Sequence, residues 1–477
     1  MSHKTLVGGT AYNITGGKSM VSGTTYSIKG GRSLVGGTGY NISFDGGETT
    51  AMLYSDGNFV FQKGDKIESG KTLTASYTDF ENITTGPSWN GKQNTFKRVN
   101  FNTKIDPVNI SFWFHKSSSM VANISNFTNL NMKNVIDMTY AYHSCYNLTG
   151  SPVSGNNVTN MHATYYYCTN LTGSPVCGNN VIDMYATYYY CTNLTGSPVC
   201  GDKVARMYST YYSCYKLKGS PVCGNNVTDM GYAYYCCYNL TGSPVCGDNV
   251  INMLYTYYNC YKLTGSPACG SNVTNMIYAY DNCTNLTGSP ACGNNVTNMT
   301  ASYRNCYNLT GSPVCGVNVT NMAYAYDNCT NLTGSPVCGK NVERMVNTYH
   351  NCANLTGSPV CGENVTDISN AYRNCYNLHG NAYFYSTSIT SMRNCFNGRN
   401  KSMRLNIYFP IGAHWTNHGL HYTNTQSIVG TSITWTNAGS YQYNTTYNIY
   451  LYPVENVAAA AIANGDEEAN DNAGITT

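Results

Sequence analysis

Charged side chains are scarce in this sequence, and long apolar runs are missing. Asp, Glu, Lys and Arg make up 10% of the residues and leave a net charge of +3, whereas about 25% of an average globular protein is charged. So small an excess of positive charge gives no basic field to attract nucleic acid. No stretch approaches the roughly 20 apolar residues that span a bilayer, and the N-terminus has no apolar signal segment. The composition therefore argues against a nucleic-acid partner, membrane insertion and a secretion signal.

The missing charge is replaced by 45 Tyr, 46 Gly and 22 Cys in 477 residues. A chain of this length is too long for one ordinary core and is typical of two to four structural units. The cysteine count alone would suit a disulfide-rich secreted protein, so the placement of the cysteines decides how they are interpreted.

A repeat of 23 residues organises the middle of the chain. An apolar residue recurs at this interval in eleven copies without insertion or deletion: Met138, Met161, Met184, Met207, Met230, Met253, Met276, Met299, Met322, Met345 and Ile368. Tyr follows four residues later in every copy, Cys seven later, Leu ten later and Gly twelve later. A strict period of this length predicts a solenoid, because one such unit cannot bury its apolar side alone. Eleven coils, each advancing ~4.8 Å, would form a rod about 50 Å long.

The repeat also predicts which side chains point into the solenoid. In one coil these are Val158, Met161, Tyr165, Cys168, Leu171 and Val176. Gly173 and Gly178 mark bends at which the backbone has positive φ or packs closely.

The cysteines seven residues after the shared apolar position form one register: Cys145, Cys168, Cys191, Cys214, Cys237, Cys260, Cys283, Cys306, Cys329, Cys352 and Cys375. Buried free thiols are the preferred interpretation, because identical residues stack as an unbroken series. Disulfides between adjacent coils are an alternative that the coil spacing permits, and metal binding is a third, although the spacing does not match zinc sites. Cys236 is expected to face outward. Free thiols and the missing signal segment favour synthesis in a reducing cytoplasm.

The unit VTNMxxAYxNCxNLTGSPVCGxN resembles the leucine-rich repeat of BspA-like bacterial surface proteins, over residues 122–380. The resemblance implies a curved parallel solenoid and a role in adhesion. Tyr stands where that family usually has Phe, as at Tyr280 and Tyr326, and Pro152, Pro175 and their equivalents fall in the strand segment. Because Pro removes one hydrogen-bond donor per coil, the parallel sheet is expected to be only two or three residues wide.

A shorter repeat of 14 residues begins at Lys4, Lys18 and Arg32, and each unit reads as two short strands around a Gly-Thr turn. Hairpins this rich in Gly cannot bury a core alone and need a partner surface. The units resemble the N-terminal module of bacteriophage tail and fibre proteins, which implies virion attachment or oligomerisation through residues 1–44.

The remaining regions are predicted as follows. Residues 45–121 form a small β-domain and N-terminal cap, with a hairpin turn at Gly57 and a strand in NISFWFH. Residues 381–457, including NAYFYSTSITSMRNCF, form a β-rich C-terminal cap, and residues 458–477 a flexible acidic tail. In HWTNHGLH, metal binding by His414, His418 and His421 is weighed against an ordinary loop, which is preferred. No metal and no cofactor are predicted.

The register directly after the shared Tyr predicts an outward column. It reads His143, Tyr166, Tyr189, Tyr212, Tyr235, Tyr258, Asp281, Arg304, Asp327, His350 and Arg373. The charged half would alternate acid and base on the surface. The tyrosine half is either ring packing that stabilises the stack or a strip that binds a sugar chain or a protein.

The sequence thus predicts a mainly β protein, a leucine-rich-repeat solenoid of about eleven 23-residue coils with β-rich caps. No nucleophile elbow, P-loop or HExxH motif is present, and the acids of the repeats, such as Asp183 and Asp281, are placed at the surface, so no enzyme is predicted. The predicted function is a structural virion protein of a bacteriophage, a tail-fibre or receptor-binding component. It would be a homo-oligomer whose partners are other virion proteins and a host-surface glycan or protein. A BspA-like adhesin on the bacterial cell surface and a capsid decoration protein are the alternatives.

Overall fold

The computed structural model describes residues 48–400, 402–415 and 448–473, and in addition the backbone of eight short strands outside those ranges. The protein is mainly β, with little helix. In the described part of the chain, neither α-helix has the length and apolar character needed to cross a bilayer.

Each 14-residue unit at the N-terminus forms one antiparallel hairpin, as the sequence predicts. Each hairpin is a two-stranded sheet of its own. The pairs are β1 (His3–Val7) with β2 (Thr10–Ile14), β3 (Lys18–Val21) with β4 (Thr24–Ser27), and β5 (Arg32–Val35) with β6 (Thr38–Asn41).

A four-stranded sheet follows, in the order β10-β8-β7-β9. Its strands are β7 (Thr49–Tyr54), β8 (Asn58–Lys63), β9 (Leu73–Tyr77) and β10 (Arg98–Phe101). The β7–β8 hairpin turns at Gly57, where φ is +83°. Phe59, Phe61, Trp89 and Trp113 pack with ring centroids 4.9–5.8 Å apart in the core beneath the sheet. Short 3₁₀ helices lie at Phe80–Asn82, Gln93–Thr95, Ile124–Asn126 and Met132–Asn134.

The predicted strand in NISFWFH is wrong, because these residues form the first layer of the stack. The N–H groups of Ile110, Phe112 and Phe114 donate to carbonyls of residues 137, 139 and 141 in the next layer. Phe112 and Lys116 have φ of +59° and +62°, which no extended strand contains. The ring of Phe114 stacks 5.4 Å from that of Tyr142. A residue at the tyrosine position therefore lies before the first repeat that the sequence reveals.

The coils are joined through the segment between the shared Met and Cys. Parallel bridges link the residue before each shared apolar position to its equivalent 23 residues on, as in Asn160–Asp183. The N–H groups of Met161, Ala163, Tyr165 and Tyr167 donate to the following coil at 2.7–2.9 Å. Within the coil, turns of the i→i−3 type alternate with these bonds, and Ala163 and Tyr167 have φ of +48° and +59°. The segment is a row of turns, not a flat strand.

The part of the coil from the shared Leu to the residues after the proline forms regular strands at the two ends of the stack, among the described residues. The strands there are β11 (Ala122–Asn123), which pairs with β12 (Leu148–Thr149), and β13 (Val360–Cys361), which pairs with the C-terminal region. In the other coils this segment contributes isolated backbone hydrogen bonds to the preceding coil, such as the one from the Thr172 N–H to the Gly150 carbonyl at 3.0 Å.

The interior is built from the predicted residues, with one exception. Val158, Met161, Tyr165, Cys168 and Leu171 are fully buried, and so are their equivalents along the stack. Val176 is half-buried, and Pro175 is buried in its place. The prediction for Val176 was wrong because its backbone, not its side chain, meets a core group, the Tyr188 hydroxyl.

That hydroxyl contact recurs along the stack. The N–H of Val176 donates to Tyr188 Oη at 2.9 Å, and the same hydroxyl donates to the Val176 carbonyl at 2.7 Å. Each such tyrosine bonds both backbone groups of the residue that follows the proline. The tyrosines concerned are Tyr165, Tyr188, Tyr211, Tyr234, Tyr257, Tyr280, Tyr303 and Tyr326.

Both predicted glycine bends are present. Gly173 has φ of +82°. Gly178 approaches the previous coil so closely that a Cβ would lie 2.4 Å from the Gly155 carbonyl oxygen. Any larger residue at this position would push adjacent coils apart.

The stack also continues past the last predicted coil. SMRNCF was expected to be a strand but forms another turn layer, in which Phe396 stacks 5.4 Å from Tyr372 and Asn394 has φ of +55°. Beyond it lies a sheet in the order β13-β14-β15-β19-β18. Its further strands are β14 (Gly380–Phe384), β15 (Leu405–Pro410), β18 (Tyr441–Asn444) and β19 (Ile449–Val454), and β16 (His414–Trp415) pairs with β17 (Ile433–Thr434). β13, β14, β15 and β19 pair in parallel, so the cap continues the parallel pairing that joins the coils.

The prediction of a flexible tail after residue 457 is wrong for the described residues. Two helices follow β19, α1 (Val457–Ala463) and α2 (Glu468–Ala473). The alanine-rich run favours helix, and the Asn456 side chain accepts from the Ala459 N–H at 3.0 Å as an N-cap. Asp466 accepts a hydrogen bond from Asn381 at 2.8 Å and fixes the helices to the cap.

The hydroxyl contact predicts a stability difference between two tyrosines of the same column. Tyr234→Phe leaves the N–H and carbonyl of the half-buried Val222 without this partner, at an expected cost of about 1–3 kcal/mol. Tyr372→Phe is the matched control, because the Tyr372 hydroxyl is buried without a partner among the described residues. Urea unfolding of both variants measures the difference, and equal losses would contradict the assigned role of the hydroxyl.

Candidate functional site

The five predicted surface tyrosines form one column, which we call the central column: Tyr166, Tyr189, Tyr212, Tyr235 and Tyr258. All five are half-buried. Successive ring centroids are 4.4–4.8 Å apart, and the ring planes differ by 6–13°. The turn segment positions these rings, because each follows a fully buried tyrosine on a backbone bonded to the next coil.

Two further columns lie beside the central column. The first flanking column consists of Tyr185, Tyr208, Tyr232, Tyr255 and Tyr278, and its rings are 4.5–5.5 Å apart. The second flanking column consists of Tyr167, Tyr190, Tyr215, Tyr238 and Tyr261, and its rings are 4.9–6.3 Å apart. Cross-contacts such as Tyr166–Tyr167 at 4.9 Å and Tyr255–Tyr258 at 5.4 Å join the columns. We call the three columns together the tyrosine face.

The flanking columns escape a fixed-period search because each changes register partway along the stack. The first moves one position along the repeat between Tyr208 and Tyr232, where the ring planes turn by 59°. Gly231 makes this change possible, since a Cβ there would lie 2.8 Å from a ring carbon of Tyr208. The second column moves two positions between Tyr190 and Tyr215. Counting Tyr at any position between the shared Met and the Leu would have found both columns.

The tyrosine face is uncharged at neutral pH. Burial raises the pKa of Tyr235 to about 12, with a smaller contribution from nearby Cys236 and Tyr258. Burial likewise raises the pKa of Tyr166, Tyr189 and Tyr212. The phenols therefore remain protonated and can both donate and accept hydrogen bonds.

The charged half of the register differs from the exposed alternating ladder that was expected. Asp281 is fully buried, and Asp327 is 9% exposed. Among the described residues of this register, two pairs form across coils: an ion pair between Arg304 and Asp281 at 2.6 Å, and a hydrogen bond between the His350 ring and Asp327 at 2.9 Å. Burial raises the pKa of the Asp281 carboxyl, while the guanidinium of Arg304 opposes that shift. The tyrosine part of the register thus ends at this pair, in which Asp281 is buried and Arg304 is half-buried, beside Tyr278, whose ring lies 5.3 Å from the guanidinium.

The eleven predicted ladder cysteines are fully buried free thiols, from Cys145 to Cys375. The Cys168 thiol donates to the Tyr142 carbonyl of the preceding coil at 3.0 Å, and the same contact recurs in the other coils. Burial raises the pKa of these thiols, as at Cys168. Cys236 is only 6% exposed, so the prediction that it faces outward is wrong. It lies at φ of +57°, and Asn259 donates to its sulfur at 3.5 Å.

The histidines of HWTNHGLH are only partly described. His414 lies in β16, whereas His418 and His421 lie outside the described residues. Within the described ranges, no three His, Cys, Asp or Glu side chains converge in a metal-binding arrangement.

No family model matches the chain. No curated protein matches it either. Among solved structures, it is similar to a leucine-rich cell-surface protein from Faecalibacterium prausnitzii A2-165, with 14% identity, a TM-score of 0.27, and coverage of 78% of this chain and 95% of that one. It is also similar to TLR13 in its complex with ssRNA13, with 9% identity, a TM-score of 0.25 and coverage of 66% of this chain. The match spans 54% of the TLR13 chain.

The histidine at the N-terminal end of the central column predicts a pH dependence. The His143 ring stacks on Tyr166 at 4.6 Å, and burial, with His115 and Lys116 nearby, lowers the pKa of His143 to about 4. An unfolded histidine takes up a proton near pH 6.5. Stability should therefore be complete above about pH 6.5 and fall as the pH drops towards 4.

The variant His143→Tyr keeps the ring and removes the titrating group. Its thermal midpoint should fall less than that of the wild type between pH 7 and pH 4. If the thermal midpoints of the two proteins fall equally between pH 7 and pH 4, His143 is excluded as a source of acid sensitivity.

Proposed function

We propose that this chain is a structural virion protein of a bacteriophage, a tail-fibre or receptor-binding component that recognises the host surface through its tyrosine face. The scaffold is a leucine-rich-repeat solenoid of about eleven 23-residue coils with β-rich caps. The observation that carries the proposal is the tyrosine face, three adjoining columns of five rings each. Tyr supplies rigid amphipathic contact area at low entropic cost and is enriched where proteins bind partners.

The backbone beneath the face supports a binding role. Tyr167, Tyr190, Tyr232, Tyr255 and Tyr278 have φ of +52° to +60°. A bulky residue adopts this left-handed region at a cost, whereas Asn adopts it readily. In the later coils Asn holds one of these positions, from Asn259 to Asn374, with φ of +60° to +65°. Tyr140 and Tyr324 adopt the same conformation outside the face, with φ of +54° and +60°, so the face holds five of the seven tyrosines with this costly backbone in the described chain.

Residues 1–44 are proposed to join the chain to itself and to other virion proteins. Their hairpins are separate two-stranded sheets, and such hairpins are at best marginally stable alone. The resemblance to phage tail and fibre modules supports attachment to a virion, made in the host cytoplasm where buried thiols stay reduced.

A BspA-like adhesin on a bacterial cell surface is the second candidate. The sequence of the 23-residue unit, which resembles BspA-like repeats, favours an adhesin. The same tyrosine face would then bind the partner of that adhesin. A capsid decoration protein is a third location for the same scaffold.

The triple variant Tyr189→Ser, Tyr212→Ser and Tyr235→Ser tests the face. We expect at least a tenfold loss of binding to intact host cells, because three rings are removed from its centre. The matched control replaces Tyr307, Tyr324 and Tyr376 by Ser, since these tyrosines are 38–50% exposed but outside the three columns. Binding that survives while the triple variant melts earlier would make the face a purely structural stack.

Deletion of residues 1–44 tests the attachment proposal. The truncated chain should form particles with fewer subunits than the full chain, as measured by light scattering, and mass spectrometry should detect only the full chain in purified phage particles. Equal subunit numbers would reject oligomerisation through this segment. Absence of the full chain from particles would reject the virion assignment and favour the cell-surface adhesin.

A further inference from the structure

We infer that the ligand of the tyrosine face is an extended, uncharged polysaccharide, held by the phenol hydroxyls at the ring edges and not by stacking on the ring faces. The inference rests on the proposed function and names the ligand class of the same site.

The ring faces of the central column are not available to a ligand. The rings lie nearly parallel at 4.4–4.8 Å, so each covers the face of the next. The outer face of Tyr166 is covered by His143 at 4.6 Å. At the other end, Tyr258 is followed in the register by Asp281, which is buried and paired with Arg304. A sugar therefore meets edges and hydroxyls, whereas the faces are already used within the column.

The hydroxyls of the central column bond one another in pairs, Tyr166 with Tyr189 and Tyr212 with Tyr235, and each keeps further capacity to contact a ligand. Each phenol oxygen can donate one hydrogen bond and accept others. Those of the inner column are committed to the backbone, as in Tyr211 with Val199. Tyr166, Tyr189 and Tyr212 lie at the half-exposed surface and carry no comparable backbone contact among the described residues. Ring edges are also the electropositive part of the aromatic quadrupole, which suits an acceptor-rich ligand.

Charge on the face argues for a neutral polymer. Arg206 lies 5.0 Å from the Tyr185 ring and pairs with Asp183 at 3.2 Å. Arg304 lies 5.3 Å from the Tyr278 ring and pairs with Asp281. Both guanidiniums beside the first flanking column are thus neutralised by a carboxylate. An acidic polysaccharide would gain no net Coulomb attraction from these two groups and would lose hydration.

The repeat argues for a polymer with a repeat of its own. Equivalent hydroxyls recur once per coil along three columns, so a chain of similar sugar units can make the same contacts at successive coils. A folded protein surface has no such periodicity and would use the face unevenly. Many weak equivalent contacts along one chain combine into a strong one.

The experiment compares hydroxyl removal with ring removal. Tyr189→Phe, Tyr212→Phe and Tyr235→Phe together keep the stacked rings and delete three hydroxyls. The probes are dextran, mannan and cellohexaose as neutral polymers, and alginate and polygalacturonate as acidic ones, with affinity measured by isothermal titration. We expect the wild type to bind a neutral probe, the Phe triple to lose at least about tenfold in affinity, and its melting temperature to stay close to that of the wild type. Tyr307→Phe, Tyr324→Phe and Tyr376→Phe together serve as the control and should bind normally.

Several results would overturn the inference and leave the proposed function standing. Full binding by the Phe triple, with loss in the Ser triple, would show that the rings and not the hydroxyls make the contact. Preference for an acidic probe would show that charge decides recognition. Host binding abolished by protease but resistant to periodate would show a protein partner. If neither triple weakens host binding, the proposed function itself fails.

Discussion

The buried tyrosine hydroxyl that bonds the backbone after the proline is the interaction on which this stack depends. In a parallel solenoid, each coil normally satisfies its backbone through the strand of the next coil. Here a proline such as Pro198 interrupts that strand, and the adjacent Val199 turns its N–H and carbonyl inward. Tyr211 then accepts from the N–H at 3.0 Å and donates to the carbonyl at 2.7 Å. One hydroxyl replaces two strand contacts in each of the eight coils from Tyr165 to Tyr326, where unpaired backbone groups would each be costly.

At the C-terminal end of the stack the strand does form, and there the tyrosine hydroxyl does not bond the backbone. Val360 lies in β13, and its N–H donates to the Pro336 carbonyl at 3.1 Å. The tyrosine twelve residues later, Tyr372, has a buried hydroxyl without a partner in the described chain. Where the sheet forms, the hydroxyl is redundant, and at the next layer Phe396 takes the place of Tyr. The tyrosine at this position of the repeat and the proline in the strand segment therefore act together.

The sequence could predict the period, the stacking direction and most of the core, because identical residues 23 apart must meet their equivalents. It could not reveal the end layers, since Ile110 lies 28 residues before Met138 and Met392 lies 24 after Ile368. It located the central column but not its flanks, because the switch from Tyr208 to Tyr232 depends on a ring leaning over Gly231. It placed Asp281 at the surface because charge usually lies there, whereas pairing with Arg304 allows its burial. The positions of the flanking tyrosines and of Asp281 therefore depend on side chains in adjacent coils, and residue type alone does not predict them.

Stabilising the stack and binding a ligand need not compete for the same tyrosines, because they use different parts of each ring. Stacked faces at 4.4 Å between Tyr212 and Tyr235 contribute packing between adjacent coils. That packing also fixes the position of every hydroxyl before a ligand arrives, which lowers the entropy lost on binding. In coils from Asn259 onward, the left-handed turn is held by side-chain amides that bond one another, as in Asn305 to Asn282 at 2.7 Å. A stack can therefore be built without these tyrosine columns, and the coils that carry the columns are the ones proposed to contact the ligand.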